Sequence, residues 1–269
     1  MEACVRDIDA WMTANMLKMN RDKTELLVLK ARHRPLPPLT SISVCDEEID
    51  LSSKARNISV IFDTSMSMEN HIAAMCKSAF YHLWNISRIR KYLSLHTAEM
   101  LVHAFVSSRL DFCNSLLFGL PKQTLKKLQH VQNVAARIVT LTRKCEHITP
   151  VLYKLHWLPI EECTVFKILL MTFKCMMGLA PSYLSDLIER YVPRRNLRSM
   201  NGHRLVEVKH NLRNYGFRSF SVAAPQLWNA LPSDIRACDN ISEFKRKLKT
   251  YLFRKAFSQV FFIMLVFSF

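Results

Sequence analysis

Few residues in this chain are typed and spaced for covalent chemistry, and each set has a plainer use. Cys145, His147, His156 and Cys163 form the one cluster of metal-ligand type. Their spacing, C-x-H-x8-H-x6-C, matches no common zinc arrangement. Buried thiols and a capping histidine account for it better, and no metal site is assigned. Asp7 and Asp9 lie two apart on a predicted helix and so point to different faces. Asp46, Glu47 and Glu48 read as a solvated hairpin turn, and adjacent aspartates occur nowhere. Two-metal phosphoryl transfer needs closely set carboxylates to hold its ions, so no catalytic residue is assigned. With 4 glycines in 269 residues, against the usual ~7%, and no GxGxxG or P-loop, a Gly-rich nucleotide site is excluded as well.

The residues suited to binding are basic and aromatic. The chain carries 38 Lys and Arg against 22 Asp and Glu, a formal net charge of +16. That excess predicts attraction to polyanions, nucleic acid first and an anionic membrane surface second. Lys77, Tyr81, Trp84 and Arg88 recur at helical spacing on one stripe. Basic and aromatic groups so interleaved can follow a phosphate backbone while stacking on sugars or bases. The plainer use is a solvated face whose rings pack on a neighbour. Lys126, His130, Asn133 and Arg137 share the outer face of a later helix. Arg194, Arg195, Arg198, Arg204, Lys209, Arg213 and Arg218 fall in a stretch with hardly an acid, a ribbon suited to phosphate contacts without sequence readout.

The elements that position these groups are mainly helical. Ile160 to Met177 is the central one. Pro159 suits a helix start, Glu161 and Glu162 favour its positive end, and Gly178 with Pro181 closes it. Apolar residues cover nearly its whole circumference, which predicts burial among other helices. It is too short and too charged to be a membrane span. Val5, Ile8, Trp11, Met12 and Met16 mark a helix over 3–17, and TELLVL from Thr24 a buried strand. Residues 42–44 and 49–51 read as a hairpin, and 58–62 as a further strand with exposed edges. Ser67 caps a helix with Ile72, Cys76, Ala79, Leu83 and Ile86 inward. Ser94 opens one with Leu101, Val102 and Phe105 inward, and Pro121 one with Leu125, Leu128, Val131, Ala135 and Ile138 inward. Thr149-Pro150 begins a short helix, and Trp157 reads as a packing anchor. Leu205–Val208 and Phe217–Val222 read as a strand pair. Phe244, Leu248 and Leu252 form one apolar seam on a strongly basic helix.

Several of these strings share a further likeness. DIDAWMTANMLKMNRDKTELLVL, beginning at Asp7, resembles the last palm segment of reverse transcriptases from LINE-type (non-LTR, jockey-like) retrotransposons, with its LKxNxxKTE turn. RLDFCNSLLFGLP from Arg109, and EHITPVLYKLHWLPIEECTVFKILLMTFKCMMGLAPSYL from Glu146, resemble the region after the thumb. FSVAAPQLWNALPSDIR and FKRKLKTYLFRKAF resemble the family's C-terminal end. The likeness runs from Ala3 to about Phe257. It implies an RNA-directed DNA polymerase whose magnesium-binding aspartates would precede Met1, so no cofactor is expected here and this chain is expected to be non-catalytic. Lys23 occupies the turn whose lysine, in the family, has been proposed to protonate the pyrophosphate leaving group. It stands here as a vestigial general-acid candidate, and an exposed turn lysine is the plainer reading.

The fold class expected is mainly α, a thumb-like helical bundle with a few short strands at the N-terminal end and near 204–222. The expected divisions are a palm remnant with its primer-contacting hairpin (1–62), thumb-like helices (63–118), a helical C-terminal core (119–191), a basic strand pair and C-terminal helix (192–257), and an apolar tail (258–269). Expected partners are RNA or RNA–DNA hybrid, bound without sequence preference, and a missing palm domain. The tail departs from the family's pattern. It is too short to span a bilayer, carries an aggregation hazard, and reads as a chance extension rather than a membrane contact. No signal peptide precedes the scattered cysteines, and the nucleus or cytoplasm is expected. A membrane-surface or interaction protein, or a genomic relic without selected function, are the alternatives.

Overall fold

The computed structural model describes residues 2–20, 23–31, 34–35, 38, 40–44, 47–192, 203–210 and 215–258. The chain is mainly helical, with the short strands among the described residues confined to its N-terminal region, and it divides into two compact units, 1–74 and 75–269.

In the first unit, α1 (Glu2–Ala14) precedes a three-stranded sheet of β1 (Leu26–Leu27), β2 (Ser41–Val44) and β3 (Glu47–Ser52). The sheet order is β1-β3-β2, with β1 parallel and β2 antiparallel to β3. The strand expected over 24–29 shrinks to two residues. The apolar face expected on α1 is not buried, and Trp11 is 62% exposed. A second hairpin pairs β4 (Lys54–Asn57) with β5 (Val60–Asp63). Ile58 and Ser59, expected in a strand, are instead the two turn residues, both at positive φ (45° and 67°). A two-residue hairpin turn of that hand matches strand twist, although it is normally filled by Asn-Gly rather than by a β-branched side chain. The helix α2 (Glu69–Ile89) begins here, and its residues from Met75 on belong to the second unit. Buried Asp63 organises the approach to it. Its carboxylate accepts hydrogen bonds from the Ser65, Ser67 and Met68 amides (3.1, 2.9 and 2.8 Å) and from both serine hydroxyls. Ser67 Oγ in turn accepts from the Glu69 amide.

In the second unit α7 (Ile160–Met176) is central. It packs against α5 (Lys122–Thr140), α8 (Ser182–Ser185), α9 (Phe220–Asn229) and α11 (Ile241–Ala256). Its leading residue, Pro159, has no side chain that can cap, so α5 supplies one. Gln129 Oε1 accepts the Ile160 amide (3.0 Å) while Gln132 donates to the Leu158 carbonyl. At the other end Gly178 takes φ +68° and the Leu179 amide reaches back to the Lys174 carbonyl, the bond that closes a left-handed cap. Leu169 and Phe173 meet Trp228 from α9 and Phe244, Leu248 and Leu252 from α11 in one core. Phe173 stacks on Phe244 with ring centroids 4.3 Å apart.

Two expectations fail here for physical reasons. Phe217–Val222 is not a strand: α9 begins at Phe220, and Val222, Ala223, Ala224, Pro225 and Trp228 bury most of its circumference. Leu205 makes only an isolated bridge to Arg190, and its amide and carbonyl are otherwise held by the Asn229 side chain. The helix opened by Ser94, α3 (Leu95–Val102), does not continue regularly. It passes through a π-helical segment, His103–Ser107, into α4 (Ser108–Asp111). The wider i→i+5 turn keeps Ala98, Val102, Val106 and Leu110, each four residues apart, on the buried side. Phe105 is thereby turned outward, and Leu101 is only half-buried. The short helix α6 runs Ile148–Lys154, starting before the expected Thr149-Pro150 cap.

Arginines close several chain ends. Buried Arg90 donates to the Ile138 and Val139 carbonyls in the last turn of α5 (2.9 and 2.7 Å) and to the Leu93 carbonyl. Arg218 donates to the Phe118 and Leu116 carbonyls. The neighbouring Gly119, at φ +70°, has no room for a Cβ, which would lie 2.8 Å from Arg218 Cγ. Arg190 donates to the Met176 carbonyl that ends α7, and Arg236, itself buried, to the Leu231 carbonyl.

Two predictions follow from these contacts. Arg90→Met should lower the unfolding free energy by about 3 kcal/mol in urea denaturation, because buried carbonyls lose a charged donor; no change would mean the clamp is dispensable. The second concerns acid. Burial and then Arg56 hold the His71 imidazole below its ordinary value of 6.5, and its Nδ1 accepts the Ile61 amide. Stability from neutral His71 is therefore present above 6.5 and lost as pH falls below it. Burial alone would push Asp63 up, but the hydrogen bonds from Ser65, Ser67 and Met68 outweigh it and hold the carboxyl below 3.8. Its contribution survives to lower pH and is lost as pH falls through the folded value. Thermal melts on acidification should show both stages, and His71→Gln should remove the first alone.

Candidate nucleic-acid interface

The α2 helix repeats its buried positions, Ile72, Met75, Ala79, Leu83 and Ile86, on one side. At about 100° per residue the opposite side carries Lys77, Tyr81, Trp84 and Arg88. All four are exposed, Tyr81 to 63% and Trp84 to 57%. The Arg88 guanidinium lies over the Trp84 ring, 4.8 Å from its centroid, a cation–π contact that holds both side chains along the helix. Just past the helix, in a 3-10 turn (Arg90–Tyr92), the Lys91 ammonium sits equally over the Tyr92 ring.

Neighbouring elements add to this face. Phe80 meets His130 of α5 at 5.8 Å, and Lys126 is exposed on the same helix. On the other flank His82 stacks on Phe105 of the π-helical segment, with centroids 5.2 Å apart and planes 17° from parallel. Burial and then the Arg109 charge hold the His82 imidazole below its ordinary value. Phe80, His82, Phe105, Lys91 and Tyr92 were not assigned from sequence. The π-helical offset that turns Phe105 outward leaves no mark in the residue pattern, whereas Lys91-Tyr92 simply extends the basic-aromatic run.

The other assigned residues are dispersed. Arg137 is half-buried and donates to the Arg143 and Glu146 carbonyls, so its guanidinium ties down the loop after α5. Arg204 and Lys209 are exposed beside the Leu205 bridge. Arg194, Arg195, Arg198 and Arg213 lie outside the described residues, as does the apolar tail beyond 258. Lys23 is an exposed turn residue whose amide donates to the Asn20 carbonyl. The basic residues Lys245, Arg246, Lys249, Arg254 and Lys255 are exposed on α11, while Lys247 pairs with Glu243 at 2.9 Å.

The cysteine–histidine quartet is not gathered. Cys145 is exposed, correcting the expectation of buried thiols, and His147 stands at the start of α6 without a side-chain capping bond. His156 stacks on Phe253, and the Cys163 thiol donates to the Leu158 carbonyl. Cys163 lines a pocket of about 200 Å³ with His103, Asp111, Trp157 and Lys249. Burial and then the Asp111 and Glu162 carboxylates push its thiol up to about 12. A thiol so protonated is no nucleophile at neutral pH. Among the described residues no group of three or more His, Cys, Asp or Glu is placed to hold a metal ion, and Asp7 and Asp9 on α1 do not fit a magnesium pair. No helix among them is long and apolar enough to cross a membrane.

No protein-family model, curated protein or solved structure matches the chain. The exposed α2 face brings cations and exposed ring faces together on one side of a helix.

Alkylation at pH 8 followed by mass spectrometry should label the exposed Cys4 and Cys145 while Cys163 stays unmodified until the chain unfolds. Rapid labelling of Cys163 in the folded protein would contradict the burial and charge that surround it.

Proposed function

We propose that this protein binds RNA or RNA–DNA hybrid without sequence preference, through the exposed face of α2, and carries out no polymerisation itself. The observation that carries the reading is the stripe of Lys77, Tyr81, Trp84 and Arg88, opposite the core and ordered by the Arg88–Trp84 contact, on a chain of net charge +16. Lys91 and Lys126 extend its charge. Phosphate contacts of this kind position a strand but read no bases. The likeness of the chain's strings to the thumb and C-terminal region of LINE-type reverse transcriptases supports the same reading, with a palm-like domain as a further partner. The lack of adjacent aspartates in the sequence is the reason to propose a binder rather than a polymerase. Scattered cysteines without paired spacing suit an intracellular setting, nuclear or cytoplasmic.

Counterion release should dominate the free energy of such binding. Filter binding to RNA of mixed sequence should weaken about a hundredfold between about 50 and 200 mM salt, the loss expected for about four phosphate contacts. Lys77→Ala combined with Arg88→Ala should flatten that dependence. Binding indifferent to salt, or no binding, rejects the proposal.

A further inference from the structure

The rings on this surface outnumber what a phosphate-tracking helix needs, and they are arranged across more than one element. Tyr81 meets His82 edge to face at 5.4 Å, and His82 stacks on Phe105 from the π-helical segment. Phe105 remains 42% exposed after making that stack. Arg109 donates to the Phe105 carbonyl and so ties the segment's backbone beneath the ring. On the same outer surface Trp84 is sandwiched on one side by Arg88 and is still more than half exposed. Tyr81 and Trp84, three residues apart, are neighbours on the outer side of α2, and Tyr81 continues through His82 to Phe105; water covers such exposed ring faces poorly.

Paired bases inside a duplex present edges in the grooves and no free faces, so a double helix could use the cations here but not the rings. Unpaired bases present π-faces, and every base has one, which makes ring stacking tolerant of sequence. Extending the nucleic-acid reading above and resting on it, we propose that this surface is a platform for an unpaired strand. Bases stack on Tyr81, Trp84 and Phe105, while Lys77, Arg88 and Lys91 neutralise the phosphates between them. The α2 stripe from Lys77 to Arg88 is about 16 Å long, and Phe105 widens it sideways, so the strand crosses from one element to the next rather than lying along a single helix.

The test uses the full chain with a labelled unpaired RNA 12-mer and the same sequence as a perfect duplex, by fluorescence anisotropy at one salt concentration. The unpaired strand should bind at least about tenfold more tightly and should quench tryptophan emission, a signal that Trp84→Phe should abolish. Phe105→Ala should cost about tenfold on the unpaired strand and leave duplex binding unchanged. Circular dichroism of Phe105→Ala, with Phe105→Leu as a second variant that keeps the apolar contact to His82, separates loss of the ring from loss of the fold. If both substrates bind equally and neither Phe105 variant alters the affinity, the platform is wrong while electrostatic binding stands. If neither substrate binds, the underlying nucleic-acid reading fails with it.

Discussion

Arginine donated to backbone carbonyls is the contact on which the second unit's architecture most depends. A helix ends with four carbonyls that have no partner in the helix, and water cannot reach those that end inside a core. Arg90 answers this for α5 with all three of its nitrogens engaged, two of them at Ile138 and Val139. Arg190, itself exposed, donates to the Met176 carbonyl at the end of α7, and Arg218 to carbonyls of the loop that Gly119 lets pass close by. Arg90 and Arg218 each reach more than one carbonyl, because the guanidinium fork offers several donors in a fixed plane. These contacts fix the end of α5, while α7 is closed by the Gly178 cap together with Arg190.

That use of arginine changes how the charge of the chain should be understood. The formal excess of +16 counts every cation alike, but Arg90, Arg137, Arg190, Arg218 and Arg236 have hydrogen-bonding tasks within the protein. Among the described residues of the second unit, the cations facing solvent are mostly lysines, with Arg143, Arg204, Arg246, Arg254 and Arg88, whose guanidinium lies over the Trp84 ring. The exposed α2 face therefore matters because it combines free charge with ordered rings, and a similar number of cations on α11 lacks the exposed rings alongside.

The helices were largely legible in the sequence because their signals are local. Pro159 and Gly178 bracket α7, Ser94 accepts the Thr97 amide as a cap should, and the four-residue repeat of Phe244, Leu248 and Leu252 is the buried seam of α11. What escaped was set by neighbours rather than by pattern. Ile58 looked like a strand residue because it is β-branched, but the pairing of β4 with β5 needs it in the turn. Phe105 fits a 3.6-residue stripe with Leu101 and Val102, yet a π-helical offset decides which way it faces. Phe217–Val222 reads as a strand in isolation, yet α9 begins inside it because the residues that follow, through Trp228, are buried as a helix. Of the assigned binding residues, the α2 four lie together as their spacing implied. Arg137 is half-buried, and its guanidinium finds carbonyls that sequence cannot display.

Ultraviolet cross-linking of the full chain to mixed-sequence RNA, with the adducts located by mass spectrometry, tests the central claim most directly. The account requires adducts concentrated between residues 77 and 109, on Tyr81, Trp84 and Phe105 foremost. Adducts confined to 203–209 or to α11, with none on α2, would contradict it.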